Sequence, residues 1–402
     1  MQPSVVFRFH GLIALRRIHP VAILAAVSFL ALPDAAIPQT DGDPIALGTY
    51  RVLHSTVLGE DRILQVHLPS GYQSEQLTYP VVYVFYSDWV EGYFAQLVND
   101  LYHVTMDRMP PAILVGVPNT QRYRDLLPWP REGAVGEEGL ADRFLRFVQE
   151  ELLPFVDAEY RTKPYRVFVG PQAAAVFGLY TLLEVPGLFR AFVLNDPCMI
   201  DSARRSLCRD LAAFARTSRA RGTYFFVSHD AGGTRRNQGF LENLRANLEA
   251  DVAEGFRWRV DLTPMWPFFL PPVEARDALL DLFADYPFPA PAEAESLEEI
   301  VAHFGGVSGA LGVTLEPPDL ILTLAANGLM ERGDFPEAMK TFRYLVDTHP
   351  SSLNGPWGLA NLHRVMGDTA TAIRYYRECL RRDPDTGPAL EWLRRLGGAG
   401  RY

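Results

Sequence analysis

Apolar and polar residues alternate between strand-length and helix-length blocks from about residue 48 to residue 286. Short continuous apolar runs such as Val81–Tyr86 and Ala112–Val117 are typical of strands buried on both faces. Between such runs, segments such as Glu138–Val156 carry apolar residues at helical spacing. This alternation predicts right-handed βαβ crossovers, and therefore an α/β fold with a mostly parallel sheet that is covered by helices on both faces. Ligands on such sheets bind beyond the carboxyl ends of the strands.

The same pattern gives the order of the remaining elements. Tyr50–Ser55 and Ile63–Leu68 predict a leading hairpin. The later strands are predicted at Arg166–Val169, Ala191–Leu194, Tyr224–Ser228 and Arg257–Leu262, each followed by a helical segment. We place this domain at residues 45–288.

A second pattern begins after residue 318. Gly333-Asp334 recurs as Gly367-Asp368, which is 34 residues later. The same offset relates Ala338 to Ala372, Phe342 to Tyr376 and Pro350 to Pro384. This period is the signature of tetratricopeptide (TPR) repeats, and it predicts a small all-α domain of two repeats and a capping helix over 319–396. Because one such unit is marginally stable alone, we expect it to dock on the α/β domain.

TPR pairs present a groove lined by the first helix of each repeat. We therefore expect a protein or peptide partner to bind there, with Asn327, Asn361 and His363 among the groove residues. Residues 289–318, which are acidic and rich in Pro and Gly, are predicted to be a linker. Ser308 lies in a Gly-Val-Ser-Gly sequence, but no strand precedes it, so we interpret it as a linker residue.

Residues 1–40 have the pattern of a targeting segment. Arg16 and Arg17 precede an apolar run from Val21 to Leu32, which is the order of a signal peptide and is short for a membrane span. We expect export to the periplasm or the cell exterior, with an uncleaved N-terminal anchor as the alternative. Export permits a disulfide between Cys198 and Cys208, but three small buried cysteines are the competing interpretation.

Composition narrows the function classes. The net charge of −10 argues against a nucleic-acid partner, because phosphate binding relies on clustered cations. Three cysteines exclude a four-cysteine zinc site. The histidines lack metal-ligand spacing, and no Walker or dinucleotide glycine motif is present. We therefore expect neither a metal nor a cofactor, and no membrane span in the mature chain.

The candidate chemistry lies at Gly170-Pro171-Gln172-Ala173-Ala174-Ala175, directly after a predicted strand and before a helix. This is where an α/β-hydrolase has its nucleophile elbow, Gly-x-Ser-x-Gly. The chain here resembles the putative-esterase branch of that fold, typified by enterochelin esterase and esterase D-like proteins. Shared segments include Leu68-Pro69-Ser70-Gly71-Tyr72, Arg122-Tyr123-Arg124-Asp125-Leu126 and Pro186-Gly187-Leu188-Phe189. The resemblance implies an α/β-hydrolase domain and a Ser-His-Asp triad.

The chain departs from that triad at two independent positions. Gln172 stands where the family has its serine, and a carboxamide is not a nucleophile. The family's histidine precedes the last helix, where this chain has Met265 or Trp266, neither of which accepts a proton. Asp230 is the best remnant of the acid. Ala174 and Ala175, in place of elbow glycines, are interpreted as small packing residues.

These departures predict a non-catalytic binding protein with a degenerate esterase site. The predicted cleft residues are Tyr86, Ser87, Trp89, Arg122, Gln172, Ala173, His229 and Trp266. The alternative is an active ester hydrolase that uses displaced residues, either Ser87 or Ser228 with His229. A third interpretation is a scaffold whose cleft is filled with side chains. We also expect Gln172 to keep the strained backbone of an elbow.

Overall fold

The structure of the chain is a computed structural model, which describes residues 47–85, 91–102, 108–118, 121–129, 140–197, 202–230, 235–263 and 271–397. The predicted targeting segment and the predicted Cys198–Cys208 pair lie outside the described residues. None of the described helices is long and apolar enough to cross a membrane.

The described strands form one sheet of eight strands with the order β1-β2-β4-β3-β5-β6-β7-β8. The antiparallel pairs are β1 with β2 and β2 with β4, and the other neighbours are parallel. The mostly parallel sheet predicted above is thereby confirmed. The strands are β1 Thr49–Ser55, β2 Glu60–His67, β3 Tyr79–Phe85, β4 Ile113–Val117, β5 Thr162–Pro171, β6 Ala191–Asn195, β7 Tyr224–Asp230 and β8 Arg257–Thr263.

Eight helices accompany the sheet among the described residues. They are α1 Glu91–Tyr102, α2 Arg122–Leu126, α3 Ala141–Phe147, α4 Leu153–Glu159, α5 Ala173–Glu184, α6 Ser202–Ala215, α7 Arg235–Ala250 and α8 Pro271–Leu282. A π-helical turn, Val148–Leu152, joins α3 to α4.

Both faces of the sheet are buried, and strand alternation divides the apolar side chains between two cores. Phe168 of β5 belongs to the first core, with Phe85, Phe192 and a set of stacked aromatic rings. Its neighbour Val167 points to the second core. Because both faces are covered, polar chemistry is confined to the ends of the strands.

The C-terminal helices form the predicted TPR module. The first repeat is α10 Asp319–Glu331 with α11 Phe335–Thr348, the second is α12 Asn354–Val365 with α13 Thr369–Arg382, and α14 Gly387–Arg395 caps the module. Gly333 and Gly367 have φ values of 83° and 82°, which glycine adopts readily. Asp334 and Asp368 then cap the following helices by accepting hydrogen bonds from Glu337 and Thr371.

The segment 289–318, predicted to be a linker, is largely helical. It contains a short 3₁₀ turn, Pro291–Glu293, and the helix α9 Leu297–Leu311. Ser296 caps α9, and one face buries Ile300, Phe304 and Val307. The segment was expected to be irregular because of its prolines and glycines, but burial of this apolar face outweighs the low helix propensity of Gly305, Gly306 and Gly309.

The TPR module docks on the α/β domain, as expected. The second core runs without interruption from Val82 and Val167 of the sheet to α9 and the first repeat. At the start of β5, the buried Lys163 ammonium donates to the carbonyl oxygen of Thr314 at 2.6 Å and to the Glu316 carboxylate at 2.9 Å. The two parts therefore share one hydrophobic core instead of being joined by a tether.

Candidate functional site at the carboxyl ends of the strands

Gln172 occupies the turn between β5, which ends at Pro171, and α5, which begins at Ala173. Its φ and ψ are 53° and −115°, so the predicted backbone strain is confirmed. The turn is tight because small residues line it: a Cβ on Gly170 would lie 2.8 Å from the Phe168 ring and 2.9 Å from Ala174. Gln172 is partly exposed, so its carboxamide is within reach of a ligand.

The alanines after Gln172 are part of the core. Ala174 and Ala175 are fully buried and Ala173 is 4% exposed. The packing role predicted for Ala174 and Ala175 is confirmed. Ala173, predicted to contact a ligand, instead packs with the first core and offers little surface to one.

A second strained residue lies in the adjacent turn. Asp196, which follows β6, has a φ of 47°, which is rare for a residue with a Cβ. The Asp196 N–H donates a hydrogen bond of 2.8 Å to the Ser228 carbonyl oxygen. The Gln172 N–H donates a hydrogen bond of 2.8 Å to the Asn195 carbonyl oxygen. The two strained turns are thus linked across β6, and such outliers cluster at functional sites.

Asp196 contacts His229 through its carboxylate Oδ1 and the imidazole Nδ1. The side chain of Asp196 is 21% exposed and that of His229 is 6% exposed. His229 is therefore at the carboxyl end of β7, as predicted, but it is buried and fixed by a carboxylate that sequence reasoning missed. An imidazole held in this way has a defined ring orientation.

Behind this pair lies a buried polar cluster of Asn195, Ser228 and Glu274. The Asn195 amide donates to Glu274 at 2.6 Å and to the Ser228 oxygen at 2.8 Å. The Ser228 hydroxyl donates to Glu274 at 2.6 Å. These hydrogen bonds join the ends of β6 and β7 to the first turn of α8, and they hold the three elements in place next to the site.

This cluster removes one of the alternatives. Ser228 is fully buried and its hydroxyl proton is directed to Glu274. Successive side chains of a strand point to opposite faces, so Ser228 and His229 do not face each other. Ser228 is therefore not a nucleophile paired with His229.

The short helix α2, which carries Arg122, is held by hydrogen bonds to side chains of β2. Asp125 is 1% exposed, and it accepts hydrogen bonds from Arg62 at 2.5 Å and from Arg124 at 2.6 Å. Arg124 also donates to Glu60 at 2.7 Å, and this hydrogen bond lowers the pKa of the Glu60 carboxyl. The network fixes the helix after β4, on the side of the sheet where ligands bind.

Several predicted site residues cannot be placed against this geometry. Tyr86, Ser87, Trp89, Met265 and Trp266 lie outside the described residues, and only the backbone is described for Arg122 and Asp230. Within the described parts of the chain, no cluster of three His, Cys, Asp or Glu side chains is suited to a metal ion.

The predicted TPR groove residues differ in what they offer to a partner. Asn327 is partly exposed on α10. Asn361 accepts a hydrogen bond from the Tyr376 hydroxyl at 2.8 Å. His363 is 9% exposed and lies 3.2 Å from the Asp368 carboxylate, so little of its ring is available at the surface.

The segment around Ala292 and Ala294 also covers part of α10. Arg332 donates to the carbonyl oxygens of Ala292 and Ala294 at 2.6 and 2.5 Å. A Cβ on Gly328 would lie 2.0 Å from the Ala292 oxygen, so the two segments are in close contact. Part of the first repeat is thereby covered, whereas the Asn327 side chain stays partly exposed.

The fold of the α/β domain and the repeat module agree with the comparisons to known proteins. Residues 55–252 match the family described as putative esterase, and residues 357–386 match a tetratricopeptide repeat. The α/β domain belongs to the putative esterase family. In this esterase-family chain, Gln172 occupies the elbow.

Two proteins of Bacillus subtilis match part of the α/β domain in sequence. An uncharacterised protein of Bacillus subtilis is 28% identical over 148 residues, which is 36% of this chain and 58% of that protein. The ferri-bacillibactin esterase of the same organism is 27% identical over 142 residues, which is 30% of this chain and 47% of that enzyme. The chain thus spans about half the length of the curated relatives it matches.

Solved structures give the same fold. An IroE-like serine hydrolase from Shewanella oneidensis superposes with a TM-score of 0.64 at 21% identity, over 74% of this chain and 98% of that one. An uncharacterised protein from Capnocytophaga ochracea superposes with a TM-score of 0.56 at 16% identity, over 87% of this chain and 99% of that one.

Proposed function

We propose that this chain is a non-catalytic member of the putative esterase family, which binds a ligand at the carboxyl edge of its sheet and a protein partner on its TPR module. The observation that carries the proposal is the residue at the elbow: Gln172 has the strained backbone of a nucleophile position without a nucleophile. A carboxamide cannot form an acyl-enzyme, but it donates and accepts hydrogen bonds.

The ligand class follows from one curated relative. That relative is a ferri-bacillibactin esterase, and we infer that the cleft of this chain binds a related siderophore ester without cleaving it. Gln172 and the His229–Asp196 pair supply polar groups at the correct edge of the sheet. The absence of a histidine between Leu262 and Phe283 supports the loss of hydrolysis.

The test combines a hydrolysis assay with a binding assay. Full-length protein, incubated with ferri-bacillibactin or with short-chain p-nitrophenyl esters, is expected to give no turnover above that of Gln172→Ala. Binding of ferri-bacillibactin, followed by quenching of tryptophan fluorescence, is expected for the wild type and weaker for Gln172→Ala. Robust turnover by both proteins would overturn the non-catalytic assignment, whereas absent binding would overturn only the ligand class.

An active hydrolase with displaced residues is the second candidate, because the His229–Asp196 pair provides an acid–base couple at the right edge. Its nucleophile would be Ser87. Ser87→Ala is then the decisive variant: loss of any measured turnover in Ser87→Ala, but not in Ser206→Ala, would favour this candidate.

We also propose that the chain is exported, since the basic start and the apolar run from Val21 to Leu32 form a targeting pattern. Fractionation of a bacterium that expresses the C-terminally tagged chain is expected to place it outside the cytoplasm. Recovery in the cytoplasmic fraction would contradict export.

The proposed TPR partner is tested by two partly exposed asparagines, one on the first helix of each repeat. Asn327→Ala with Asn361→Ala is expected to abolish a complex that the wild type forms, as seen by cross-linking in the producing cell. Asp385→Ala, an exposed change outside the first helices, is the control and is expected to keep it.

A further inference from the structure

Two arginine side chains lie against the indole ring of Trp392, on the capping helix α14. The guanidinium carbon of Arg364, on α12, is 4.1 Å from the centroid of this ring, and that of Arg395 is 5.1 Å from it. Trp392 in turn stacks on Tyr376, with 6.4 Å between ring centroids and 8° between ring planes. Arg364, Trp392 and Arg395 form the Arg–Trp cluster. Because the indole ring restrains both guanidinium groups, a partner that binds them orders the side chains at little entropic cost.

The guanidinium groups of the cluster can accept carboxylates from outside the chain. Arg364 forms no ion pair with any residue that the structure describes, and its buried Nε makes no hydrogen bond there. The guanidinium interacts with the Tyr376 hydroxyl, but burial raises the pKa of that hydroxyl to about 12, so it carries no charge at neutral pH. Arg395 pairs with Glu391, but the two side chains are 59% and 60% exposed, and such surface pairs are weak.

The charge around the cluster is opposite to that of the chain as a whole. Residues 357–397 contain seven Arg and no Lys against five Asp and Glu, whereas residues 1–356 contain 43 Asp and Glu against 30 Lys and Arg. An acidic segment is therefore attracted to the second repeat and repelled by the remainder of the chain.

The cluster continues the groove that the first helices of the repeats present. Arg364 follows Asn361 by three residues on α12, so the two side chains share a face of this helix. The next two residues, Val365 and Met366, are 50% and 47% exposed. Apolar surface thus lies beside the two cations, where an apolar side chain of a partner can cover it.

These features select an acidic peptide as the occupant. A guanidinium group binds a carboxylate through two parallel N–H···O hydrogen bonds, a geometry that neutral or basic peptides cannot supply. The second repeat also matches the tetratricopeptide family, which indicates a protein partner for this module.

We propose that the Arg–Trp cluster binds an acidic peptide segment of the TPR partner. One peptide carboxylate bonds to the Arg364 guanidinium, and a second replaces Glu391 as the partner of Arg395. An apolar side chain of the peptide lies against Val365 and Met366. This inference rests on the TPR partner proposed above, and it adds the chemistry by which that partner is recognised.

Selection of peptides by the full chain tests this chemistry. A phage-displayed library of random dodecapeptides is panned against the wild type and against Arg364→Gln. We expect the wild type to enrich peptides that combine several Asp or Glu residues with a large apolar residue, and Arg364→Gln to lose this enrichment. Enrichment of neutral or basic peptides, or of none, would overturn the proposal.

The dissociation constant of the most enriched peptide is then measured by fluorescence anisotropy. Arg364→Gln is expected to raise it at least about tenfold, because a charged hydrogen-bond donor is removed, and Arg395→Gln is expected to raise it as well. Arg364→Lys, which keeps the charge but loses the planar fork, is expected to fall between the wild type and Arg364→Gln.

Arg374→Gln is the matched control. Arg374 is an exposed arginine on α13 of the same repeat, and its guanidinium carbon also lies over an aromatic ring, 5.2 Å from the centroid of Tyr375. This variant is expected to change the dissociation constant less than about twofold. Circular dichroism checks that every variant is folded. Equal effects of Arg364→Gln and Arg374→Gln would overturn the proposal, because they would indicate a diffuse cationic surface.

Other occupants give different results. Binding to phosphatidylglycerol vesicles that Arg364→Gln abolishes, with no acidic peptide selected, would assign the cluster to a lipid surface and overturn the proposal. Self-association of the wild type that Arg364→Gln abolishes would assign it to a second copy, with the same consequence. A cellular complex that survives Arg364→Gln but is lost in the double variant of Asn327 and Asn361 would overturn this inference alone and leave the TPR partner in place.

Discussion

The backbone N–H of Gln172 donates a hydrogen bond of 2.8 Å to the carbonyl oxygen of Asn195. This bond ties the strained elbow to the end of β6, directly before the second strained residue, Asp196. The elbow geometry is thus imposed by the neighbouring strand and by close packing at Gly170, and it is present at a residue that carries a carboxamide side chain.

Strain at the elbow gives the first prediction. A left-handed backbone conformation costs about 1–3 kcal/mol for a residue with a Cβ, whereas glycine adopts it at little cost. Glycine loses about 0.4–1 kcal/mol through the greater entropy of the unfolded chain. Gln172→Gly is therefore expected to unfold with a free energy about 1 kcal/mol higher than Gln172→Ala, as measured by urea denaturation. Equal values for the two variants would contradict stored strain.

The tight contact between β5 and α5 gives the second prediction. Gly170→Ala places a Cβ against Phe168 and Ala174, and such overpacking is expected to lower the free energy of unfolding by about 1–3 kcal/mol. Gly305→Ala is the control, because its Cβ meets nothing within 4 Å in helix α9. It is expected to stabilise by up to about 1 kcal/mol. A neutral Gly170→Ala would show that the elbow is not tightly packed.

The buried polar cluster gives the third prediction. Glu274→Ala leaves one N–H of the Asn195 amide and the Ser228 hydroxyl without their acceptor, and each unsatisfied buried donor costs about 1–3 kcal/mol. Glu274→Gln keeps one acceptor oxygen and is expected to lose less. Chemical denaturation of both variants measures the difference. Equal losses would mean that the charge, and not the accepting oxygen, matters at this position.

How much of this could be predicted from the sequence depends on the range of the interactions. Short apolar runs such as Val81–Tyr86 and the 34-residue period identify the sheet and the repeats, because both patterns are local. The elbow position of Gln172 is also local, since it follows a strand and precedes a helix.

The partners of the site residues are not local. Asp196 with His229, and Asn195 with Glu274, are 33 and 79 residues apart, and nothing in the spacing joins them. Helix α9 was missed for a different reason. Its glycines suggested a break, but the helix is stabilised by burial of Phe304 and its neighbours, a tertiary effect that overrides local propensity.

Alkaline unfolding gives the fourth prediction. Burial raises the pKa of the Cys379 thiol from 9.0 to about 12, and that of the Tyr376 hydroxyl from 10.0 to about 12. Above pH 9 the thiol ionises in the unfolded state but keeps its proton in the folded state. Ionisation stabilises the unfolded state, so the free energy of unfolding falls as the pH rises to about 12.

Replacement of the Cys379 thiol separates its contribution to alkaline unfolding from that of Tyr376. Cys379→Ala is expected to move the onset of the TPR module's alkaline destabilisation from about pH 9 towards pH 10, where Tyr376 begins to contribute. The loss in the wild type is at most about 1.4 kcal/mol per pH unit for one group. Thermal melts followed by circular dichroism across this range measure the onset, and an unchanged onset would contradict the role of the buried thiol.

The measurement that tests the central claim most directly is labelling of the full chain by a fluorophosphonate, which modifies activated serines, followed by mass mapping of the modified peptides. A serine hydrolase of this fold serves as the positive control. With Gln172 at the elbow and Ser228 bound to Glu274, we expect no labelled serine in the native protein. Stoichiometric labelling of one serine, lost on denaturation before treatment, would contradict the account and show that the chain is a working hydrolase.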